Sequence, residues 1–239
     1  QNARFEDLRP VAREYIHRCH LRAARPLKQN GRFLLDAGSG PVQYPEYLTY
    51  SQTYQNRVCL DISIVALQEA RKHLADKGLY VVADVTHLPF AQDVFDGLVS
   101  LHTLHHVSVE DQLKAYDEFY RVLAPASAGV VVNGWQVAPM MIRWTPVVRL
   151  AERLAGFFQR FRRQEIELQR EATTPATTGK GQADPQPTGT YVRKIDAAWL
   201  KERLAGRMKR EILVWRAVSV RWRRALIHPW LAGKLWLKL

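Results

Sequence analysis

Thiols are scarce in this chain of 239 residues: it has two cysteines, Cys19 and Cys59, far apart in sequence. Two such thiols make no disulfide framework and no metal-ligand spacing, so no metal is expected. Cys59 stands inside the apolar run Val58-Cys59-Leu60, where a buried small hydrophobe is expected. The thiol usage fits a reducing, cytoplasmic setting. Long hydrophobic runs are missing too, and none approaches the roughly 20 residues that cross a bilayer. The first ten residues are too polar for a secretory signal, and the absence of an initiator Met predicts a trimmed start. There are no internal repeats. Acidic residues are in short supply, 23 against 35 lysines and arginines, for a net charge of +12 and an isoelectric point near 10.0. Such a balance implies an anionic partner, either nucleic acid or an acidic membrane surface. Acids and bases balance across 31–135, and the basic excess begins near Arg143, so it belongs to the later segments.

What is present is an alternation of two periods. Residues 11–29 have helical spacing, with Val11, Tyr15, Cys19 and Leu27 on one side. Short apolar runs at 32–36, 58–61, 79–83, 95–101 and 130–132 predict strands. Helical spacing at 64–75 and 109–123 predicts helices between them. Strands alternating with helices point to right-handed βαβ units and an α/β, Rossmann-like, doubly wound and mostly parallel sheet. Ligands of such sheets bind outside the carboxyl ends of the strands, where Asp36, Asp61, Asp84 and Ser100 fall.

Four motifs sit at those ends. Leu34-Leu35-Asp36-Ala37-Gly38-Ser39-Gly40-Pro41 is a strand running into a glycine-rich turn, where backbone can approach a ligand. A dinucleotide fingerprint needs a third glycine, and Gln43 holds that place. The acid two residues before Gly38 suits a ligand with an ammonium and a sulfonium better than a pyrophosphate. Pro41 is expected at the first helical position. Asp61, about 20 residues on, is placed to accept from both hydroxyls of a ribose, or to cap the next helix, with Ser63 as the other capping candidate. Asp84 ends the third strand and can accept from the exocyclic amine of adenine, with Val85 against the ring. The fourth motif runs from Phe95-Asp96-Gly97-Leu98-Val99-Ser100 to His102, His105 and His106.

Together these motifs resemble the class I S-adenosylmethionine-dependent methyltransferases, over about 32–135, in the branch with quinone-biosynthesis and small-molecule enzymes. The resemblance implies S-adenosyl-L-methionine as cofactor. By it, Asp36, Gly38 and Gly40 hold the methionine end, Asp61 and Ile62 the ribose side, Asp84 and Val85 the adenine. Ser100 is the floor under the sulfonium. His105 and His106, with His102 beside them, are candidate general bases or residues that cap and pack the segment after the fourth strand.

The expected layout is one domain: a cofactor core over 1–135, a lid helix and loop over 136–190, and a helix, strand and basic tryptophan-bearing tail over 191–239. In 139–171, Val147, Leu150, Leu154, Phe157, Phe158 and Phe161 share a stripe away from Arg149, Arg153, Arg160 and Arg163. Residues 172–190 have the composition of a linker. One strand is expected over 211–220, leaving the sheet short of the last strand usual in the family. Trp222, Trp230 and Trp236 among Arg223, Arg224, Lys234 and Lys238 suit the face of an anionic membrane or a core packing role. The expected acceptor is small or lipid-like. An RNA acceptor on the basic surface and a non-catalytic adenosyl-binding scaffold are the alternatives. A nicotinamide oxidoreductase is disfavoured by the missing third glycine.

Overall fold

The computed structural model describes residues 9–28, 30–134, 145–147, 149–150, 153, 195–213 and 223. Five strands, β1 (Gly31–Ala37), β2 (Tyr54–Asp61), β3 (Gly78–Val82), β4 (Phe95–Leu101) and β5 (Leu123–Val132), alternate with helices α1 (Pro10–Ala23), α2 (Pro45–Thr49), α3 (Ile64–Leu74), α4 (Val109–Val122) and α5 (Ala197–Arg203). All strand pairs are parallel, in the order β3-β2-β1-β4-β5. The chain therefore steps outward from β1 on one side, then returns to build on the other. The crevice where this order reverses, between the carboxyl ends of β1 and β4, is where ligands of such sheets bind. The expected α/β doubly wound architecture is the one observed.

Successive side chains of β1 point to opposite faces, so Leu34 and Leu35 serve two cores. Leu35, Ala37, Leu60 and Leu98 pack with Tyr116, Phe119 and Val122 of α4, and with Leu200 and Leu204 in and just after α5. Leu34, Val99 and Val132 pack on the other face against Ala23, Leu27, Tyr50 and Tyr54. Cys59 joins Leu67, Ala70 and Leu74 of α3, and burial pushes its thiol up to about 12, so it is an inert small hydrophobe as expected.

Several boundaries differ from expectation. Helix α1 stops at Ala23 rather than continuing to residue 29, because Pro26 biases the residue before it away from helix. Strand β2 starts at Tyr54, and β5 at Leu123 with a register irregularity. Pro41 does not begin a helix. Val42 takes φ of 47°, and the helix opens only at Pro45, which occupies the first turn where its missing N–H costs nothing. Residues 211–213 have no regular structure, contrary to the strand expected there. The rest of that strand, the lid outside 145–147, 149–150 and 153 (all helical), and the tail other than Arg223 lie outside the described residues. Among the described residues, no helix is long and apolar enough to cross a membrane.

The chain divides into two compact units. One gathers 1–15, 138–189 and 217–239, and in it Arg9 Nη2 donates to the Arg223 carbonyl at 2.9 Å while the Arg223 guanidinium lies over Tyr15. The other, 16–137 with 190–216, carries the sheet. Within it, α4 clasps the segment after β3. Glu118 accepts from the Leu88 N–H at 2.7 Å and pairs with Arg121, whose Nη1 and Nη2 donate to the carbonyls of Phe90 and Leu88.

The Arg121 bond, against burial and with help from the Leu88 N–H, holds the Glu118 carboxyl below its ordinary 4.5. A depressed carboxylate contributes stability that is full above the unfolded value and lost as pH falls through the folded one. Glu118→Gln is therefore expected to cost about 1 kcal/mol at pH 7. Its deficit should shrink as pH falls below 4.5, read from urea unfolding curves at several pH values.

Candidate functional site

The carboxyl end of β1 is held from below by a buried ion pair. Asp36 Oδ2 accepts from Arg57 Nε at 3.1 Å and from Arg57 Nη2, and Arg57 Nη1 donates to the Tyr47 carbonyl of α2. The two side chains are 3% and 0% exposed. Burial pushes the Asp36 carboxyl up, and the guanidinium beside it pulls back part of the rise. This corrects one expectation. The Asp36 carboxylate is turned into the protein and taken up by Arg57, so it does not face a ligand.

Above it the glycine turn divides its labour. Gly38 (φ 73°) donates its N–H to the Leu60 carbonyl at 2.7 Å, and a Cβ there would come within 2.2 Å of Thr103 Cγ2. Thr103 Oγ1 in turn donates to the Gly38 carbonyl at 3.0 Å. Gly38 is thus interlocked with the segment after β4. Gly40 (φ 55°) is the opposite case, since a Cβ there would meet nothing within 4 Å. Its backbone lies beside open ground that a ligand can enter.

Asp61 ties this turn to the end of β2. Its Oδ2 accepts from the Gly40 N–H at 2.9 Å and its Oδ1 from the Ser63 N–H at 2.8 Å. The cap of α3 is Ser63, whose Oγ accepts from the Ala66 N–H at 3.3 Å. Each Asp61 oxygen keeps a further lone pair for a hydroxyl. Ile62 beside it is 76% exposed, an apolar surface with no core of its own. One strand over, the Ala83 N–H donates to the Asp61 carbonyl at 3.3 Å, which sets Asp84 next in line. Asp84 is exposed, and its Oδ1 accepts from the Thr86 N–H at 2.8 Å. Val85 points into the core with Leu35 and Leu88, whereas Ile62, like Val82 at the end of β3, is exposed. Ser100 is fully buried and donates to the Ala37 carbonyl at 2.8 Å. It supports the floor from beneath and does not form its surface, which is a second correction.

His102, His105 and His106 follow β4. His102 has φ of 59° and donates its N–H to the Val132 carbonyl at 2.8 Å. Its ring lies 6.2 Å from that of His105, which lies 4.1 Å from that of His106. The structure thus brings Gly38, Gly40, Asp61 and Ser100 into one bonded ring around the ends of β1, β2 and β4, with Ile62 and Asp84 at its rim. Sequence reasoning missed Arg57 and Thr103. The signal for Arg57 was slight: it stands next to the apolar run Val58-Cys59-Leu60, and a charge drawn into a buried strand has to have a partner.

The residues fit S-adenosylmethionine at its nucleoside end. Asp61 offers acceptors for two ribose hydroxyls, Ile62 an apolar face and Asp84 a carboxylate for an amine. At the methionine end the fit comes from the turn at Gly40 and its backbone, with Asp36 as the strut behind it.

Removing one partner of a buried pair leaves a charge without compensation, at a cost of about 3–5 kcal/mol. Arg57→Met should therefore lose about that much stability. Asp36→Leu combined with Arg57→Met should lose clearly less than Arg57→Met alone, measured by urea unfolding.

Residues 35–131 match the methyltransferase domain family. A tRNA (carboxymethyluridine(34)-5-O)-methyltransferase from Arabidopsis thaliana is 31% identical over 124 residues, which cover 49% of this chain and 28% of that protein. The chain thus spans little more than a quarter of that relative's length. Among solved structures, the YcgJ protein of Bacillus subtilis aligns with a TM-score of 0.51 at 15% identity, over 80% of this chain and 67% of that one. A chain from the complex between the Haloferax volcanii Trm112 methyltransferase activator and a candidate methyltransferase aligns with a TM-score of 0.52 at 16% identity, over 82% and 69%. At such identities the likeness is one of fold. The parallel sheet and the glycine turn at its switch point lie largely within 35–131, the stretch that is similar to the methyltransferase domain family.

Proposed function

We propose that this chain transfers a methyl group to an oxygen or nitrogen of a small or lipid-like acceptor. The observation that carries the reading is Asp61, held by the Gly40 and Ser63 N–H groups at the switch point, with the open ground of Gly40 on one side and exposed Ile62 on the other. When bound, the cofactor supplies a methyl carbon on a sulfonium, an electrophile that needs alignment and a dry site more than it needs acid or base. The chain's part is then to hold the ribose at Asp61, to present backbone at Gly40, and to keep the floor rigid through Ser100 and Thr103.

A small acceptor is favoured by the segment after β4. Enzymes acting on the exocyclic amines of bases usually present an Asn or Asp, two prolines and an aromatic there, and Ser100-Leu101-His102-Thr103 does not. His105 and His106 are candidate bases at the same end of the sheet. A second reading, an RNA acceptor, draws support from the named activity of the Arabidopsis relative and from the net charge of +12. The aligned length is about half of this chain, so the parts that choose an acceptor need not be shared. Contact with an anionic membrane through 222–239 would suit a lipid-like acceptor.

Two measurements test this. Cell extract incubated with the protein and methyl-labelled cofactor, then divided into organic-soluble, small polar and RNA fractions, should carry label in one of the first two. Label confined to RNA would move the acceptor to the second reading. Asp61→Ala is expected to weaken binding of S-adenosylhomocysteine by about 2–4 kcal/mol in calorimetry, because two hydroxyls lose a charged acceptor. Asp61→Asn should lose less, and parental affinity in Asp61→Ala would remove Asp61 from the site.

A further inference from the structure

A second cluster of titratable groups stands beside the turn, and none of the motifs above uses it. Glu46, in the first turn of α2, accepts from His17 Nδ1 at 2.5 Å through Oε1, and its Oε2 lies 3.4 Å from His20 Nδ1. His20 is 1% exposed and packs its ring between those of Tyr44 and Tyr47, at 4.8 and 5.0 Å. Its carbonyl accepts from the Tyr50 hydroxyl. His17, by contrast, is 53% exposed. A half-buried carboxylate, backed by a buried imidazole, therefore holds an imidazole that reaches solvent.

The cluster stands beside α2, the helix that follows the glycine turn. Helix α1 precedes β1, and seven residues join Ala23 at its end to Gly31. Ala23 and Leu27 pack at mid-sheet with Leu34 and Val99. His17 lies about 9 Å along the helix from Ala23, and its bond to Glu46 sets it beside α2. Glu46 comes shortly after Gly40 in the chain, and the helix that carries it is tied to the end of β1 through the Tyr47 carbonyl, Arg57 and Asp36.

We propose that His17, oriented by Glu46, is the general base that takes the proton from the acceptor's hydroxyl or amine. This rests on the methyl-transfer reading above. A carboxylate only accepts, so the hydrogen in the His17–Glu46 bond belongs to Nδ1, and Nε2 is left as the basic atom. In the step, the acceptor's O–H or N–H bond breaks and its proton passes to Nε2. The electron pair stays on the acceptor atom, which is the atom that takes the methyl. His17 becomes an imidazolium, whose charge Glu46 balances. Burial works against the charge on Glu46, but the bonds from His17, its own backbone and His20 outweigh it and hold the carboxyl below its usual range, so the anion is there to do this. Glu46 and His20 are positioning residues.

The test uses the full chain, methyl-labelled cofactor and the extract fraction labelled by the parent. His17→Gln and Glu46→Gln should each lower the rate of label transfer at saturating cofactor by about 100-fold or more, the lower bound of a positioned base. S-adenosylhomocysteine affinity should stay near parental in both, and the urea midpoint should stay near parental in His17→Gln, His17 being largely exposed. Independently of turnover, nitrogen-15 NMR of the parent should show His17 as the Nδ1–H tautomer, and Glu46→Gln should shift it toward a mixture. A structural staple between α1 and α2 would move the urea midpoint and leave the transfer rate alone. Transfer by His17→Gln at the parental rate, or a parental His17 with its hydrogen on Nε2, overturns the proposal while leaving methyl transfer standing. No label in any fraction, with the cofactor bound, overturns the methyl-transfer reading and the base with it.

Discussion

The Asp36–Arg57 pair is the contact on which the site's geometry rests. It joins β1 to β2 beneath the glycine turn, and its third bond, to the Tyr47 carbonyl, brings α2 into the same framework. An ion pair this deep gains little net stability, since desolvation offsets most of the attraction. What it provides is placement. Two planar groups with fixed bond directions leave the end of β1 a single position relative to β2 and α2. The turn, Asp61 and Glu46 all hang from elements that this pair fixes.

Around that strut the site is assembled mostly from backbone. Gly38 and Ser39 donate to Leu60, Gly40 donates to Asp61, Ser100 and Thr103 bond the carbonyls of Ala37 and Gly38, and Ala83 reaches the Asp61 carbonyl. Side chains that look like ligand contacts in the sequence turn out to be fasteners. Asp61 is both, since each of its oxygens secures an N–H and still has room to accept. Such a site is preformed, so little ordering remains to be done when a cofactor arrives.

The sheet, its direction and its switch point were legible in the sequence because apolar strand runs and helical spacing are local patterns, repeated along the chain. Asp61 and the glycine turn were legible for the same reason: their spacing follows from a strand-turn-helix unit. The orientation of side chains was not. Asp36 and Ser100 fall at the right strand ends, yet whether each faces ligand or core depends on residues distant in sequence, Arg57 for one and the Ala37 carbonyl for the other. Val85 and Ile62 exchange their expected importance for the same reason, since one finds a core to enter and the other does not. The His17–Glu46 contact joins two helices across an intervening strand, and no short motif records it.

The interlock of Gly38 with Thr103 bears on how this chain can change over time. A side chain at position 38 would strike Thr103, and the positive φ admits little beyond glycine or asparagine in any case. Relatives that lose the glycine should therefore also carry glycine where this chain has Thr103, since the Thr103 Cβ itself stands in the way, and give up the hydroxyl bond to the turn. The two positions form one unit of inheritance, although they lie on different strands' ends and far apart in sequence.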